Sequence, residues 1–196
     1  MNRIRKTQQR SSETTSQVLA AARQCFAADG FELVTIDAIA AECGRTKGAV
    51  YHHFGSKEAL FEAVFAAEQR RLADLVVGRT TTADPVRALQ DGVVTYLTCI
   101  ADDHDAARIT LLDAPVVLGW QTWRSCDDGP FREILAGAVR SIQAAGRLRD
   151  GLDVEVLAEL LLGAITEAAL GLATSSAQPA SFASTIARLI DHLTTP

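Results

Sequence analysis

Thr35-Ile-Asp-Ala-Ile-Ala-Ala-Glu-Cys-Gly-Arg-Thr-Lys-Gly-Ala-Val-Tyr-His-His-Phe-Gly-Ser-Lys57 is the stretch that decides the fold. Thr35 is a good N-cap, and Ile36, Ile39 and Ala40 give the helix it opens one apolar face. Asp37 falls in the first turn, where the helix dipole favours an acid. Gly44 supplies the left-handed conformation that ends a helix and reverses the chain. Thr46 caps the next helix, which has a buried side in Val50 and Phe54. Its other side carries Lys47, Gly48, Tyr51 and His52, which are polar groups with little bulk. Ser56 then caps a third helix beginning at Lys57. Two short helices around a Gly turn, with one cationic face, have the layout of a helix-turn-helix DNA reader.

The string resembles the DNA-binding region of the TetR family of transcriptional repressors. The resemblance is carried by Thr35, Ile39, Ala40, Gly44, Gly48, Val50, Tyr51, His53, Phe54, Ser56, Lys57 and Leu60. Cys43, Arg45 and Thr46 depart from the family's usual Ala, apolar residue and Ser, and Arg45 adds a cation beside the second helix. The resemblance implies that Lys47, Gly48, Ala49 and Tyr51 face the major groove. Thr35, Tyr51, His52, His53 and Lys57 are implied as DNA-backbone contacts, with Arg45 and Thr46 at the same surface. It also implies a homodimer through the last two helices, about 153–173 and 181–193, on double-stranded operator DNA. A small-molecule effector that releases the repressor is the remaining implied partner.

Charge distribution agrees with a DNA reader at the N-terminal end. The 196-residue chain has a formal net charge of −5. Through Lys57 there are 8 Lys+Arg against 5 Asp+Glu, while the remainder has 11 against 19. Any phosphate-binding surface is therefore expected in the first third of the chain. Residues 1–10 hold Arg3, Arg5, Lys6 and Arg10 with no acid and no apolar run. They are expected as a disordered basic arm, either merely solvated or reaching the minor groove, and not as a signal peptide.

Downstream, the apolar periodicity is helical throughout. Val18, Leu19, Ala22, Cys25 and Phe26 form the stripe of a first helix ended by Gly30. A helix from Ser56 runs without a flexible linker to about Val77. Asp84-Pro85 is an N-cap followed by a proline suited to the first helical position. Pro115 should kink or end the segment it interrupts. Asp113 beside it reads either as a turn group or as a ligand's hydrogen-bond acceptor. Trp120 and Trp123 are core, interface or the aromatic wall of a pocket, and Tyr96 joins them as a candidate effector contact. The acidic run Asp102-Asp103-His104-Asp105 reads as a solvated loop, and Arg70 and Arg71 as exposed charges. The most apolar segment, Leu152 to Ala173, contains Asp153, Glu155, Glu159 and Glu167, each costing roughly 3 kcal/mol at a bilayer centre. It is expected as a buried protein helix rather than a membrane span.

No phosphate-cradling glycine loop, nucleophile elbow or zinc-binding helix signature is present, so no enzymatic activity, cofactor or metal is expected. The four cysteines have no C-x-x-C spacing and read as reduced thiols of a cytoplasmic protein. An all-α ligand-binding protein without a DNA role is the competing reading, and it leaves Lys47, Tyr51 and Lys57 unexplained. The expectation is an all-α chain of about nine helices. A helix-turn-helix domain would span 1–58, and a ligand-binding and dimerisation bundle 59–196.

Overall fold

A computed structural model describes the backbone of residues 2–127, 129–175 and 178–195, with side chains for 13–124, 129–175 and 178–195. Among the described residues every named element is helical, with one isolated bridge between Leu148 and Thr194. Helix α1 spans Asn2–Leu33, α2 Ile36–Glu42, α3 Lys47–Phe54 and α4 Lys57–Arg79. Helix α5 follows at Pro85–Asp102 and α6 at His104–Ala107, then a π-helical segment at Arg108–Asp113 and α7 at Ala114–Val117. The chain closes with α8 Trp120–Asp127, α9 Pro130–Ala144, α10 Val154–Thr174 and α11 Pro179–Leu193.

Two expectations change here. The backbone is helical from Asn2, so the segment expected as a disordered arm continues α1; the side chains of Arg3, Arg5, Lys6 and Arg10 lie outside the described residues. Pro115 does not end its helix, because the π segment before it shifts the hydrogen-bond register. The Ala114 amide donates five residues back, to the Ile109 carbonyl. In that register the next carbonyl, that of Thr110, would need the N–H that Pro115 lacks. The Trp123 indole supplies the missing donor, with Nε1 2.9 Å from the Thr110 oxygen. Residues 104–117 thus form one rod, which brings the described helices to ten.

The small N-terminal core is aromatic. Phe26, Phe31 and Phe61 stack or meet edge-to-face at centroid distances of 5.8, 5.2 and 5.3 Å. Ile36, Ile39, Val50 and Leu60 close around them. Each such buried side chain contributes about 1.5–3 kcal/mol relative to exposure. Cys25 and Cys43 are only partly buried at this core, while the Cys126 side chain lies outside the described residues. In the second bundle α5 is central, packing against α4, α9, α10 and α11. Helix α10 is long and apolar enough to cross a membrane by length and composition. One side of it, with Leu157, Leu161, Ile165 and Ala168, is nevertheless buried within the bundle. Its small residues serve close packing at one point: a Cβ on Gly171 would meet the Phe182 ring of α11 at 3.1 Å.

Candidate nucleic-acid interface and its link to a cavity

Three side-chain caps fix the reading unit. The hydroxyls of Thr35, Thr46 and Ser56 accept from the amides of Ala38, Ala49 and Ala59 at 3.2, 3.2 and 3.0 Å. Each supplies an acceptor for an amide that has no partner within its own helix. Between α2 and α3 the chain reverses at Gly44, with φ of 64°. The Gly44 amide donates to Ala41 and the Arg45 amide to Ala40, at 3.1 and 2.8 Å, closing both orphan carbonyls. Arg45 occupies the place after this turn where an apolar contact is common. Its Nη2 donates instead to Gln17 Oε1 on α1 at 2.5 Å.

Of the expected DNA contacts, Thr35, Arg45, Thr46, Lys47, Gly48, Tyr51 and His52 are exposed. Ala49, His53 and Lys57 are half-buried. A Cβ on Gly48 would meet nothing within 4 Å, so the missing side chain serves no contact inside the protein. Lys47 Nζ pairs with Asp37 Oδ2 at 2.7 Å, joining the first turns of α2 and α3 across open solvent. This bond raises the ammonium's pKa, chiefly through the Asp37 hydrogen bond and then its charge. His53 Nδ1 lies 3.5 Å from Thr15 Oγ1 of α1.

Lys57, expected at a phosphate, has its ammonium turned inward. Nζ donates to the carbonyls of Phe31 and Val34 at 2.8 and 3.0 Å and sits 4.2 Å from the Phe31 ring centroid. It satisfies carbonyls at the end of α1, where the chain cannot continue a helix.

The unit is tied to the second bundle by charge that spacing does not announce. Glu68 of α4 is 3% exposed. It receives Arg23 from α1 and Arg71 from its own helix, each at 2.8 Å. Both arginines also reach Asp103, Arg71 at 2.6 Å and Arg23 at 3.3 Å, and Arg23 reaches Asp105 at 3.3 Å. Asp103 and Asp105 are thus part of a junction, not a solvated loop, and Arg71 is no free surface charge. Burial alone would raise the Asp103 carboxyl, but the Ala106 amide and the two guanidiniums hold it below its ordinary value. No group of three or more His, Cys, Asp or Glu suited to a metal occurs among the described residues.

A second tie comes from the π segment. Arg108 Nη1 donates to the carbonyls of Ala27 and Ala28 at 3.0 and 2.9 Å. Asp113 accepts from the Phe31 amide at 3.3 Å and lies 3.8 Å from Arg108 Nε. Asp113 therefore holds the end of α1.

A cavity of about 230 Å³ lies among α4, α5, α9 and α10. Val76 and Val77 line it from α4 and Thr80 from the cap that ends it, Val93 and Tyr96 from α5, Phe131 and Leu135 from α9, and Ile165 and Thr166 from α10. Of the four candidate effector contacts only Tyr96 is on this wall. Trp123 is fully buried against Thr110, Trp120 is 58% exposed, and Asp113 belongs to the α1 clamp. The residues missed in sequence are Asp37, Arg23, Glu68, Arg71, Asp103 and Arg108. Most act across separations of 32 to 82 positions that no local pattern marks.

The family profile for bacterial regulatory proteins of the tetR family matches residues 18–64. That for the tetracyclin repressor-like C-terminal domain matches residues 86–195. The transcriptional repressor AcnR of Corynebacterium jeikeium is 25% identical over 160 residues, spanning 76% of each chain. A TetR-family transcriptional regulator of Pectobacterium atrosepticum superposes with a TM-score of 0.74 at 26% identity, covering 95% of this chain and 97% of that one. The regulator FadR of Bacillus subtilis, solved with stearoyl-CoA, gives a TM-score of 0.74 at 19% identity over 89% and 96% of the two chains.

Proposed function

The chain belongs to the tetR family of bacterial regulatory proteins, and on that premise we propose how this DNA-binding transcriptional repressor works. It binds a palindromic operator as a homodimer, residues 1–58 reading DNA and 59–196 binding effector and partner. Lys47, Gly48, Ala49 and Tyr51 enter the major groove; Thr35, Arg45, Thr46, His52, His53 and the Tyr51 hydroxyl position the phosphates, with the Lys57 amide beside them. The observation that carries this reading is the exposed Lys47–Tyr51 face of a helix capped and tied at both ends. A gel shift with operator-proximal DNA tests it, since Lys47→Ala should relax base preference while Tyr51→Phe weakens binding evenly.

Support for the dimer comes from α10 and α11, where Val156, Leu160 and Leu189 are 56, 67 and 51% exposed. A Cβ on Gly163 would meet nothing within 4 Å, leaving the same helix open to a close neighbour. An isologous contact there predicts operator half-sites about 34–36 Å apart or a multiple of that. Gly163→Arg should give monomers by light scattering, and an intact dimer would remove this interface.

Release works through α4, which lines the cavity with Val76, Val77 and its C-cap Thr80 and holds α1 through Lys57 and Glu68. A ligand that spreads these walls favours one tilt of α4. A hundredfold loss of operator affinity needs about 2.7 kcal/mol of coupling. Saturating operator must then weaken ligand binding by the same factor.

A further inference from the structure

We propose that the cavity among α4, α5, α9 and α10 selects an uncharged, largely apolar small molecule and rejects anions and cations alike. The inference rests on the reading of this protein as ligand-released and names what the site takes. Among the lining residues there is no Lys, Arg, His, Asp or Glu. Polar side-chain atoms come only from the hydroxyls of Thr80, Tyr96 and Thr166. Thr80 Oγ1 already donates to the Val76 carbonyl at 2.8 Å, so toward a ligand it offers lone pairs and not its proton. The adjacent cation in sequence, Arg79, directs Nη1 at Cys99 Sγ, 3.9 Å away, and is not on the cavity wall.

Apart from Thr80, the C-cap of α4, the walls named above are helical, and away from the helix ends their backbone polar groups are occupied in their own ladders. A carboxylate or ammonium entering this space would lose its water and meet no counter-ion. An alkyl chain or ring meets complementary surface throughout. A hydroxyl on such a molecule can donate to Thr80 Oγ1, whose lone pairs stay open. The volume of about 230 Å³ is many times the roughly 10–15 Å³ that a single buried water needs, which leaves room for one ring system or a short alkyl chain.

A matched series separates charge from size: octan-1-ol, octanoate and octylammonium, each titrated into the full-length protein at neutral pH. Thermal shift and calorimetry give binding without reference to DNA. Octan-1-ol is expected to bind at least tenfold more tightly than either ion. Ala138→Leu, which fills the cavity from α9, should abolish octan-1-ol binding without lowering the melting temperature. Thr80→Lys should reverse the preference, bringing octanoate to at least the affinity of octan-1-ol for the unaltered protein. Should Ala138→Leu melt without cooperativity, the Thr80→Lys reversal decides.

Equal or tighter binding of either ion to the unaltered protein overturns the proposal. So does octan-1-ol binding that neither variant changes, or no binding by any of the three. Operator gel shifts keep the two readings apart. Octan-1-ol that binds yet never affects operator binding would leave the ligand class standing and remove ligand release. A charged inducer blocked by Ala138→Leu would do the opposite.

Discussion

Arg108 occupies the space where a side chain on Gly30 would lie: a Cβ there would come 2.5 Å from Arg108 Nη2. Gly30 also has φ 79° and ψ 164°, a conformation close to glycine-only. The guanidinium cannot simply swing away, because Nη1 is held by the Ala27 and Ala28 carbonyls. Gly30→Ala should therefore cost about 1–3 kcal/mol from the backbone alone, with the steric conflict added. In an Arg108→Ala background the added part should vanish and the backbone part remain. Urea melts of the four proteins in this cycle check both terms, and full additivity would mean that the two residues do not meet.

Lys57 makes a stability prediction where its sequence suggested a DNA one. Lys57→Met keeps an apolar stem over Phe31 but leaves the carbonyls of Phe31 and Val34 without their charged donor. A loss of about 1–3 kcal/mol is expected. At temperatures where the variant is fully folded, its salt dependence of DNA binding should match the parent's. A slope flatter by about one unit would instead show that the ammonium neutralises a phosphate.

The Lys47–Asp37 pair predicts competition between DNA and the protein for one ammonium. Both side chains are more than half exposed, so the pair itself adds little to folding. Lys47→Ala should cost roughly 1–3 kcal/mol of specific binding and relax one operator position. Asp37→Asn should tighten binding to operator and non-operator DNA while leaving the melting temperature within a degree or two. Weaker binding by Asp37→Asn would mean that Asp37 orients Lys47 for the groove instead of competing for it.

Asp103 sets an acid limit on the junction between α1, α4 and the loop before α6. Its carboxyl lies below the ordinary 3.8 in the folded protein despite burial, because the Ala106 amide and the Arg71 and Arg23 guanidiniums favour the anion. A depressed folded value means that the unfolded chain binds more protons in this range, so stability rises with pH. The contribution is complete above the unfolded value and is lost as pH falls through the folded one. Asp103→Asn should thus be less stable than the parent at neutral pH, with the gap closing as pH falls through the depressed folded value. A gap that is constant with pH would remove the ionised pair from the explanation.

Trp123 is predicted to be a structural residue of the π segment. Trp123→Phe leaves the Thr110 carbonyl buried with no donor, since Pro115 cannot provide one, and should cost about 1–3 kcal/mol. Cavity ligands should bind the folded variant unchanged. A selective loss of ligand affinity would bring Trp123 back to the binding wall.

The sequence by itself determined the elements that local chemistry controls. Thr35, Thr46, Ser56 and Asp84 each cap the helix expected of them, and Gly30 and Gly44 have the positive φ that breaks helices. These signals act over a few residues, so a linear reading can use them, and the length of the Thr35–Lys57 pattern made the family legible. Tertiary structure alone decided where the charged and aromatic side chains point. Arg23 meets Asp103 across 80 positions, Arg108 meets Ala27 across 81, and Lys57 meets Phe31 across 26. Trp123 and Trp120, three positions apart, end fully buried and mostly exposed. A helix cap finds its partner within one turn, whereas a long side chain finds the nearest unsatisfied group that packing brings to it. That group's identity depends on how whole helices stack.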